Sequence, residues 1–192
     1  MSRVAIIPAR GGSQRIPRKN IREFCGRPII DYSIQTALDS KLFSAVIVST
    51  DDDEVAAVAT QAGATVMRRP TDDGSRGTQD VAREVVLQLP LVDVACVIYA
   101  TSPLLLVSDL KAGLHALLMP GRKFAMSVSD SPLADAGCFY WGKANAFCIG
   151  LPLIAPHTAM VPLPGDRVCD INTHADWTTA TYLYQALRRA LP

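Results

Sequence analysis

Short β-branched apolar runs alternate with amphipathic helical segments through most of this chain, and this alternation limits the folds open to it. The apolar runs predict strands at residues 3–7, 45–49, 64–67, 94–99 and 123–128. Apolar residues at helical spacing predict a helix after Pro28 and a second helix from Asp51 or Asp52 to about residue 62. The same spacing predicts helices at about 79–89 and 108–118. Because each helix returns the chain to begin the next strand, the pattern predicts an α/β domain with a mostly parallel sheet covered by helices.

The chain after residue 128 is less regular. "GCFYWG" (137–142) predicts a further strand, and "KANAFCIG" (143–150) predicts a short helix or turn. Thr173 with Asp176 three residues later is a variant of the helix capping box, so a last helix begins there. An apolar stripe then follows on that helix at Leu183, Ala186, Leu187 and Ala190. A length of 192 residues suits one domain over 1–192.

Composition excludes several classes of protein. The net charge is +1, so no overall basic field attracts nucleic acid. We expect neither a signal peptide nor a membrane span, because no run approaches about 18 uninterrupted apolar residues. The five cysteines are scattered without a CxxC pair, which predicts reduced thiols in a cytoplasmic protein. The histidines at 115, 157 and 174 are too dispersed for a metal cluster or a catalytic triad.

The segment "RVAIIPARGGSQRIPRKNI" joins the first predicted strand to a basic loop. Five basic residues fall within thirteen positions around a Gly-Gly pair: Arg10, Arg15, Arg18, Lys19 and Arg22. Successive amides at such a pair, with charged donors beside them, suit a polyphosphate. The loop is neither a Walker loop nor a dinucleotide fingerprint, and composition alone leaves open a solvated loop with surface arginines.

Four segments follow predicted strands directly: the basic loop, "STDD", "RRP" and "ATSP". Ligands of open α/β sheets bind at the carboxyl ends of the strands. We therefore expect these four segments to converge on one edge of the sheet.

The order of these motifs resembles that of a known enzyme family. "IPARGGSQRIPRKNI", "GRPIIDYSI", "VIVSTDDDEVAAVA", "RRP", "IYATSPLL", "DAGCFYWGKANAF" and "DINTHADW" together are similar to the cytidylyltransferases that activate nine-carbon ulosonic acids. The "RIPRKNI" and "FYWG" segments most resemble pseudaminic acid cytidylyltransferases, and CMP-sialic acid synthetases are close relatives. The resemblance implies a Rossmann-like, glycosyltransferase-A-like nucleotidyltransferase domain of three layers. It also implies a reaction that joins CTP to a sugar acid and releases pyrophosphate.

The resemblance assigns roles to residues of this sequence. Arg10 and Lys19 match phosphate-contacting residues, and Asp170 matches a carboxylate that holds Mg²⁺, with Asn172 at the second metal position. Substrate-binding positions implied in the same way are Ala9, Gly11, Gly12, Ser13, Asn20, Arg69, Thr78, Thr101, Gly137 and Tyr140. The implied partners are CTP and a ulosonic acid, without nucleic acid or membrane, and the implied assembly is a homodimer.

Simpler interpretations of three of these residues stay open. Asn20 could be a turn former, Arg69 could be a surface residue before proline, and Asp170 could cap the last helix.

Four departures from the family pattern bear on activity. Gln14 stands where the family has Lys, and Asn172 stands where it has a second metal carboxylate. Cys138 replaces a polar Gln, which we expect to alter sugar contacts. Only "DSPLA" separates the fifth strand from "DAGCFYWG", where the family carries several tens of residues with sugar contacts and a dimer arm. Either the chain lacks that insertion or the sequence has closed over an omitted segment.

Three functions follow. The first is a CTP-dependent transferase acting on pseudaminic acid. The second is a degenerate nucleotide-binding protein with little turnover, which Gln14, Asn172 and the short connection favour. The third is transfer to another acceptor, such as a different ulosonic acid, sialic or legionaminic acid among them, or an alditol phosphate.

Overall fold

The computed structural model describes residues 1–71, 74–130 and 134–190. Nine strands lie in chain order at β1 Arg3–Pro8, β2 Glu23–Phe24, β3 Arg27–Pro28, β4 Ala45–Thr50, β5 Thr65–Arg68, β6 Val94–Ile98, β7 Phe124–Ser129, β8 Asp135–Lys143 and β9 Thr158–Leu163. The helices are α1 Ile29–Ser40, α2 Asp53–Gln61, α3 Thr78–Leu87, α4 Val107–Leu118, α5 Ala144–Cys148 and α6 His174–Ala190. Short 3₁₀ turns cover Lys19–Ile21 and Gly165–Arg167.

The central sheet has seven strands in the order β5-β4-β1-β6-β8-β7-β9. All of its neighbouring pairs are parallel except those of β8, which runs antiparallel to both β6 and β7. β8 is reversed because it follows β7 through a tight connection rather than through a helix. The predicted mostly parallel sheet is confirmed, and β2 with β3 forms a separate two-stranded hairpin.

Two apolar layers enclose the sheet, one on each face. Alternate residues of β1 point to opposite sides, so Ile7 packs with α1, α2 and α4 while Ile6 packs with α3 and α5. All five residues of β6 are buried, as its lack of polar alternation predicts. The arrangement is the expected three-layer α/β domain.

A third, smaller cluster joins parts of the chain that are distant in sequence. It contains Ile16 of the basic loop, Phe24 of the hairpin, Tyr32 of α1 and Ile171 near the start of α6. Ala180 is the one fully buried residue of α6 among those described, with Trp177 and Tyr184 on the same side. The stripe expected on α6 is only partly covered, because Leu183 and Leu187 are half-buried while Ala186 and Ala190 are exposed.

The predicted helix caps form. Asp52, rather than Asp51, caps α2, and its side chain accepts the Val55 N–H at 2.9 Å. At α6 the Thr173 N–H donates to Asp176 at 2.7 Å and the Asp176 N–H donates to the Thr173 hydroxyl at 3.2 Å. In the part of the chain that the structure describes, no helix has the length and apolarity that crossing a bilayer requires.

Candidate active site

A cavity of about 540 Å³ opens where β1, β5 and β6 end. Its walls are formed by Pro8, Arg10, Ser13, Gln14, Arg15, Lys19, Asn20, Arg69, Gly74, Arg76, Thr78, Val81, Tyr99, Ala100 and Thr101. The basic loop, "RRP" and "ATSP" therefore meet at one edge of the sheet, as the strand order predicts. The "STDD" segment lies against the basic loop, since Asp51 accepts the Gly11 N–H at 3.0 Å.

Five cationic side chains face this cavity. Three are predicted members of the basic loop, namely Arg10, Arg15 and Lys19, and one is Arg69 after β5. The fifth, Arg76, was missed by the sequence analysis; it lies just before α3 and also pairs with Glu84 at 3.2 Å. So dense a positive lining fits a ligand with several negative charges.

The two remaining basic residues of the loop point elsewhere. Arg18 pairs with Asp52 and Glu54 instead of lining the cavity, and the Arg22 guanidinium lies 5.4 Å from the centre of the Trp177 ring. The expectation that Arg18 donates to a phosphate is therefore wrong for this structure, because a salt bridge already holds its guanidinium. The Arg18 guanidinium also holds the pKa of Asp52 below its usual range.

The Gly-Gly pair brings the loop close to α2. A Cβ at Gly11 would lie 2.3 Å from Oδ2 of Asp52, so only glycine fits between them. The Gly11 N–H donates to Asp51, and the Ser13 N–H donates to the Gly11 carbonyl at 3.0 Å. These two amides already have acceptors within the chain, and Ser13 lines the cavity whereas Gly11 and Gly12 do not.

Lys19 and Asn20 sit in the 3₁₀ turn that ends the loop. Asn20 is buried and donates from Nδ2 to the Arg10 carbonyl at 2.9 Å, so this side chain braces the loop as well as lining the cavity. Lys19 donates from Nζ to the Ile171 carbonyl at 2.8 Å. Burial lowers the pKa of Lys19, nearby Asp170 raises it, and Arg15 and Arg10 lower it further.

Asp170 and Asn172 form the acid side of the site. The Asn172 side-chain amide donates to Oδ2 of Asp170 at 2.5 Å. A Cβ at Gly137 would lie 3.3 Å from the Asp170 carboxyl carbon, so β8 passes directly beside this carboxylate. Asp170 does not cap α6, because Asp176 and Thr173 do so. It is not part of the cavity wall, but it directly precedes Ile171, whose carbonyl accepts a hydrogen bond from the Lys19 ammonium.

A buried ion pair anchors the segment that carries Asp170. Arg167 reaches Asp109 with Nη1–Oδ2 at 2.5 Å and Nη2–Oδ1 at 3.1 Å. Asp109 also accepts the Leu106 N–H at 2.9 Å at the start of α4. The sequence analysis missed this pair, since nothing in "PGDRVCD" signals a partner 58 residues away.

The remaining predicted site residues divide by position. Thr78 and Thr101 line the cavity, whereas Ala9 and Tyr140 are buried behind it. The Tyr140 hydroxyl donates to the Thr78 hydroxyl at 3.0 Å, so Tyr140 supports Thr78 from below. Cys138 is also buried, with its sulfur 3.3 Å from the Ala136 carbonyl oxygen, and the altered sugar contacts expected from its replacement of Gln stay a prediction.

The short connection after β7 is a hairpin between neighbouring strands. The Ser129 N–H donates to the Ala134 carbonyl at 2.8 Å, and Val128 pairs with Asp135. The strand ends are therefore as close as a real short connection requires. Residues 131–133, on which the question of an omitted segment turns, lie outside the described residues.

Comparisons with known proteins point to one family. A sequence model described as "Cytidylyltransferase" matches residues 4–131. The pseudaminic acid cytidylyltransferase of Campylobacter jejuni subsp. jejuni serotype O:2 is 32% identical over 225 residues, which cover 96% of this chain and 97% of that protein. N-acylneuraminate cytidylyltransferase B of Danio rerio is 41% identical over 214 residues, 93% of this chain and 50% of that protein.

A structural neighbour carries the same fold. It is CMP:2-keto-3-deoxy-manno-octonic acid synthetase complexed with CTP, with a TM-score of 0.80, 17% identity and complete coverage of both chains. The alignment to the Campylobacter protein is longer than the 192 residues of this chain, so the relative contains residues that this chain lacks.

Proposed function

This chain belongs to the cytidylyltransferase family, and we propose that it is the enzyme that transfers CMP from CTP to a nine-carbon ulosonic acid, pseudaminic acid first among them. The observation that carries this proposal is the convergence of five cationic side chains on one cavity at the carboxyl ends of the strands. A nucleoside triphosphate and a sugar acid are both anions, and both must occupy the site together. Two relatives in the family are named for acids of this class, pseudaminic acid and N-acylneuraminate.

The basic loop provides the chemistry that the transfer needs. The anomeric hydroxyl of the sugar attacks the α-phosphorus, its proton leaves as the new O–P bond forms, and the bond to the pyrophosphate oxygen breaks. Negative charge then grows on the departing pyrophosphate. Arg10 and Lys19, already aimed into the cavity, offset that charge without reorganising. The remaining lining residues hold the two substrates in line.

We place the cytidine end near Arg69, which follows β5, whereas Thr101 follows β6 on the other side of β1 in the sheet. Both residues line the cavity. The Arg69 N–H donates to the Thr50 carbonyl at 3.0 Å, so Arg69 is held at the end of the β4–β5 pairing. A fixed backbone at this point suits recognition of a base edge by hydrogen bonds.

Asp170 and Asn172 could supply two of the oxygen ligands that a magnesium ion needs. A carboxylate and an amide oxygen are hard ligands of the kind Mg²⁺ takes, and the two side chains touch. Among the described residues no group of three His, Cys, Asp or Glu side chains could hold a metal. The ion would therefore take its other ligands from phosphate oxygens and water, and when bound it supplies positive charge beside the phosphates. Rotation of the Asn172 amide would turn its oxygen toward the ion.

The test of this function is product analysis. The purified protein is incubated with CTP, Mg²⁺ and, separately, pseudaminic, N-acetylneuraminic and legionaminic acids. We expect a CMP-sugar and an equal amount of pyrophosphate, with the highest kcat/KM for pseudaminic acid. Preference for another acid would move the protein to that branch of the family. CTP binding without product from any acid would support the degenerate nucleotide-binding alternative.

Nucleotide choice gives a second, independent measurement. CTP and UTP differ at one ring edge, and an unpaired buried polar group costs about 1–3 kcal/mol. Calorimetry should therefore show CTP binding about 5- to 150-fold more tightly than UTP. Equal affinities would contradict the placement of the cytidine end.

A further inference from the structure

Arg18 occupies an unusual place in the basic loop. Its backbone is left-handed, with φ +56°, and it directly precedes Lys19 and Asn20, which line the cavity. Its side chain turns away from the cavity and forks onto Asp52, with Nη1–Oδ2 at 2.8 Å and Nη2–Oδ1 at 3.2 Å. Glu54 contacts the same guanidinium. The fork fixes the direction in which the chain enters the 3₁₀ turn.

The first turn of α2 holds the other end of the loop as well. The Asp52 carboxylate that receives Arg18 also caps α2 and packs against Gly11, where no side chain would fit. Its neighbour Asp51 accepts the Gly11 N–H. The beginning of the loop and its end are therefore both attached to one rigid element.

We propose that Arg18 is a positioning residue for nucleotide binding, which acts by clamping the basic loop to Asp52 and so holding the part of the loop between its two attachments, with Ser13 and Arg15, toward the triphosphate. This inference rests on the proposed function, since it takes the cavity to be the triphosphate site. The clamp adds little to the stability of the fold, because water partly screens this half-exposed ion pair and the left-handed backbone of a non-glycine residue costs free energy. Its effect is on preorganisation, which ligand affinity reports.

Arg18→Gly separates these two effects. Glycine accepts the left-handed backbone without strain, so the variant should fold, but it has no guanidinium. We expect CTP to bind about tenfold more weakly and KM for CTP to rise by the same factor, while kcat falls less. The midpoint of urea unfolding should change little.

Lys41→Gly is the matched control. Lys41 also has a left-handed backbone, with φ +55°, and a long cationic side chain, but it caps the end of α1 and does not line the cavity. This variant should leave the affinity for CTP unchanged. Loss of CTP affinity in both variants would show a general effect of the substitution and would overturn the proposal.

A double-variant cycle tests the partner. Asp52→Asn keeps an oxygen that can cap α2 but removes the charge that holds Arg18. It should weaken CTP binding about as much as Arg18→Gly, and the double variant should lose no more than either single variant. Unchanged CTP affinity in Arg18→Gly, or fully additive losses in the double variant, would contradict the clamp.

Hydrogen exchange distinguishes failure of the clamp from failure of the proposed function. If the parent protein binds no CTP, the proposed function fails, but the clamp is still measurable in the protein alone. Amides of residues 11–20 should then exchange faster in Arg18→Gly than in the parent or in Lys41→Gly. Equal exchange in all three proteins would overturn the clamp.

Discussion

The two sides of the cavity are each held by an arginine that forks onto an aspartate, but the two pairs differ in their surroundings. On the phosphate side, Arg18 and Asp52 have 40% and 21% of their side chains exposed. On the acid side, Arg167 and Asp109 have 15% and 7% exposed. The bond geometry is similar in both, with two N–O contacts each.

This difference in exposure separates stability from function. Water and salt screen the more exposed outer pair, Arg18 with Asp52. Removing it should therefore change the free energy of unfolding little and mainly loosen the basic loop. The inner pair, Arg167 with Asp109, is largely shielded from water. Removing one partner therefore leaves the other charge buried without compensation. We infer that the ion pair on the acid side stabilises the fold, whereas the ion pair at the basic loop mainly raises the affinity for the ligand.

Lys19 connects the two sides. Its ammonium donates to the Ile171 carbonyl, between Asp170 and Asn172, while its backbone follows the Arg18 clamp. Below it, Ile16 and Ile171 share the small third cluster. A shift of the basic loop can therefore move the Asp170 segment through the Lys19 side chain and through the contact between Ile16 and Ile171.

The largest expected effect comes from breaking the inner pair. Arg167→Ala should lower the free energy of unfolding by about 3 kcal/mol, because Asp109 is left buried and charged. Urea denaturation measures this, with Arg18→Gly as the outer-pair comparison, where we expect a change below about 1 kcal/mol. Adding Asp109→Asn to Arg167→Ala should recover part of the loss, since the amide keeps an acceptor for the Leu106 N–H. Similar losses from the inner and outer pairs would remove the distinction drawn above.

The next effect is on turnover. Lys19→Ala should lower kcat by about 10²–10³-fold while the affinity for CTP changes much less, because the charge that Lys19 meets grows in the transition state. Single-turnover kinetics and calorimetry separate the two quantities. Lys111→Ala, which removes an exposed lysine from α4, should match the parent protein. If Lys19→Ala had the same kcat as the parent, Lys19 would not be the residue that stabilises the developing charge.

The sequence predicts the elements of this fold better than its site. Long apolar runs and helical spacing locate six of the nine described strands, namely β1 and β4 to β8, and all six described helices. β9 was missed because two of its six residues are exposed and Pro162 interrupts it, which only an edge strand tolerates.

The direction of a side chain is what the sequence could not predict. Arg15 and Arg18 are alike in the linear sequence, yet one faces the cavity and the other pairs with Asp52. The left-handed backbone of Arg18 decides this, and arginine gives no local signal for that conformation. Cys138 lies in β8, a strand buried on both faces, so alternation does not indicate which residues face a ligand.

A smaller effect is expected at the metal position. Asn172→Asp should tighten Mg²⁺ binding in the presence of CTP by about tenfold, or about 1.4 kcal/mol, because it restores a charged ligand beside Asp170. Without Mg²⁺ the same variant should be less stable than the parent, since two carboxylates then repel each other. Asn145→Asp adds the same charge at an exposed position in α5 and serves as the control. No gain in Mg²⁺ affinity would mean that residue 172 is not a ligand.

The smallest expected effect is a pH dependence that Lys19 imposes on stability. Burial lowers the pKa of Lys19 in the folded protein, whereas in the unfolded chain it lies near about 10.4. Between these two values the unfolded chain holds more protons than the folded protein, so stability should rise with pH across that window. Lys19→Met keeps every other titrating group but lacks this one. The unfolding free energy of the parent, relative to that of the variant, should therefore increase with pH between the two pKa values.

Bound CTP places negative phosphates beside Lys19 and raises the pKa of Lys19 in the folded protein. With CTP present, the pH range between the folded and unfolded pKa values should be narrower, and the difference in unfolding free energy between parent and variant should change less with pH. Identical slopes for parent and variant in urea denaturation at several alkaline pH values would show that Lys19 is not desolvated between the two sides.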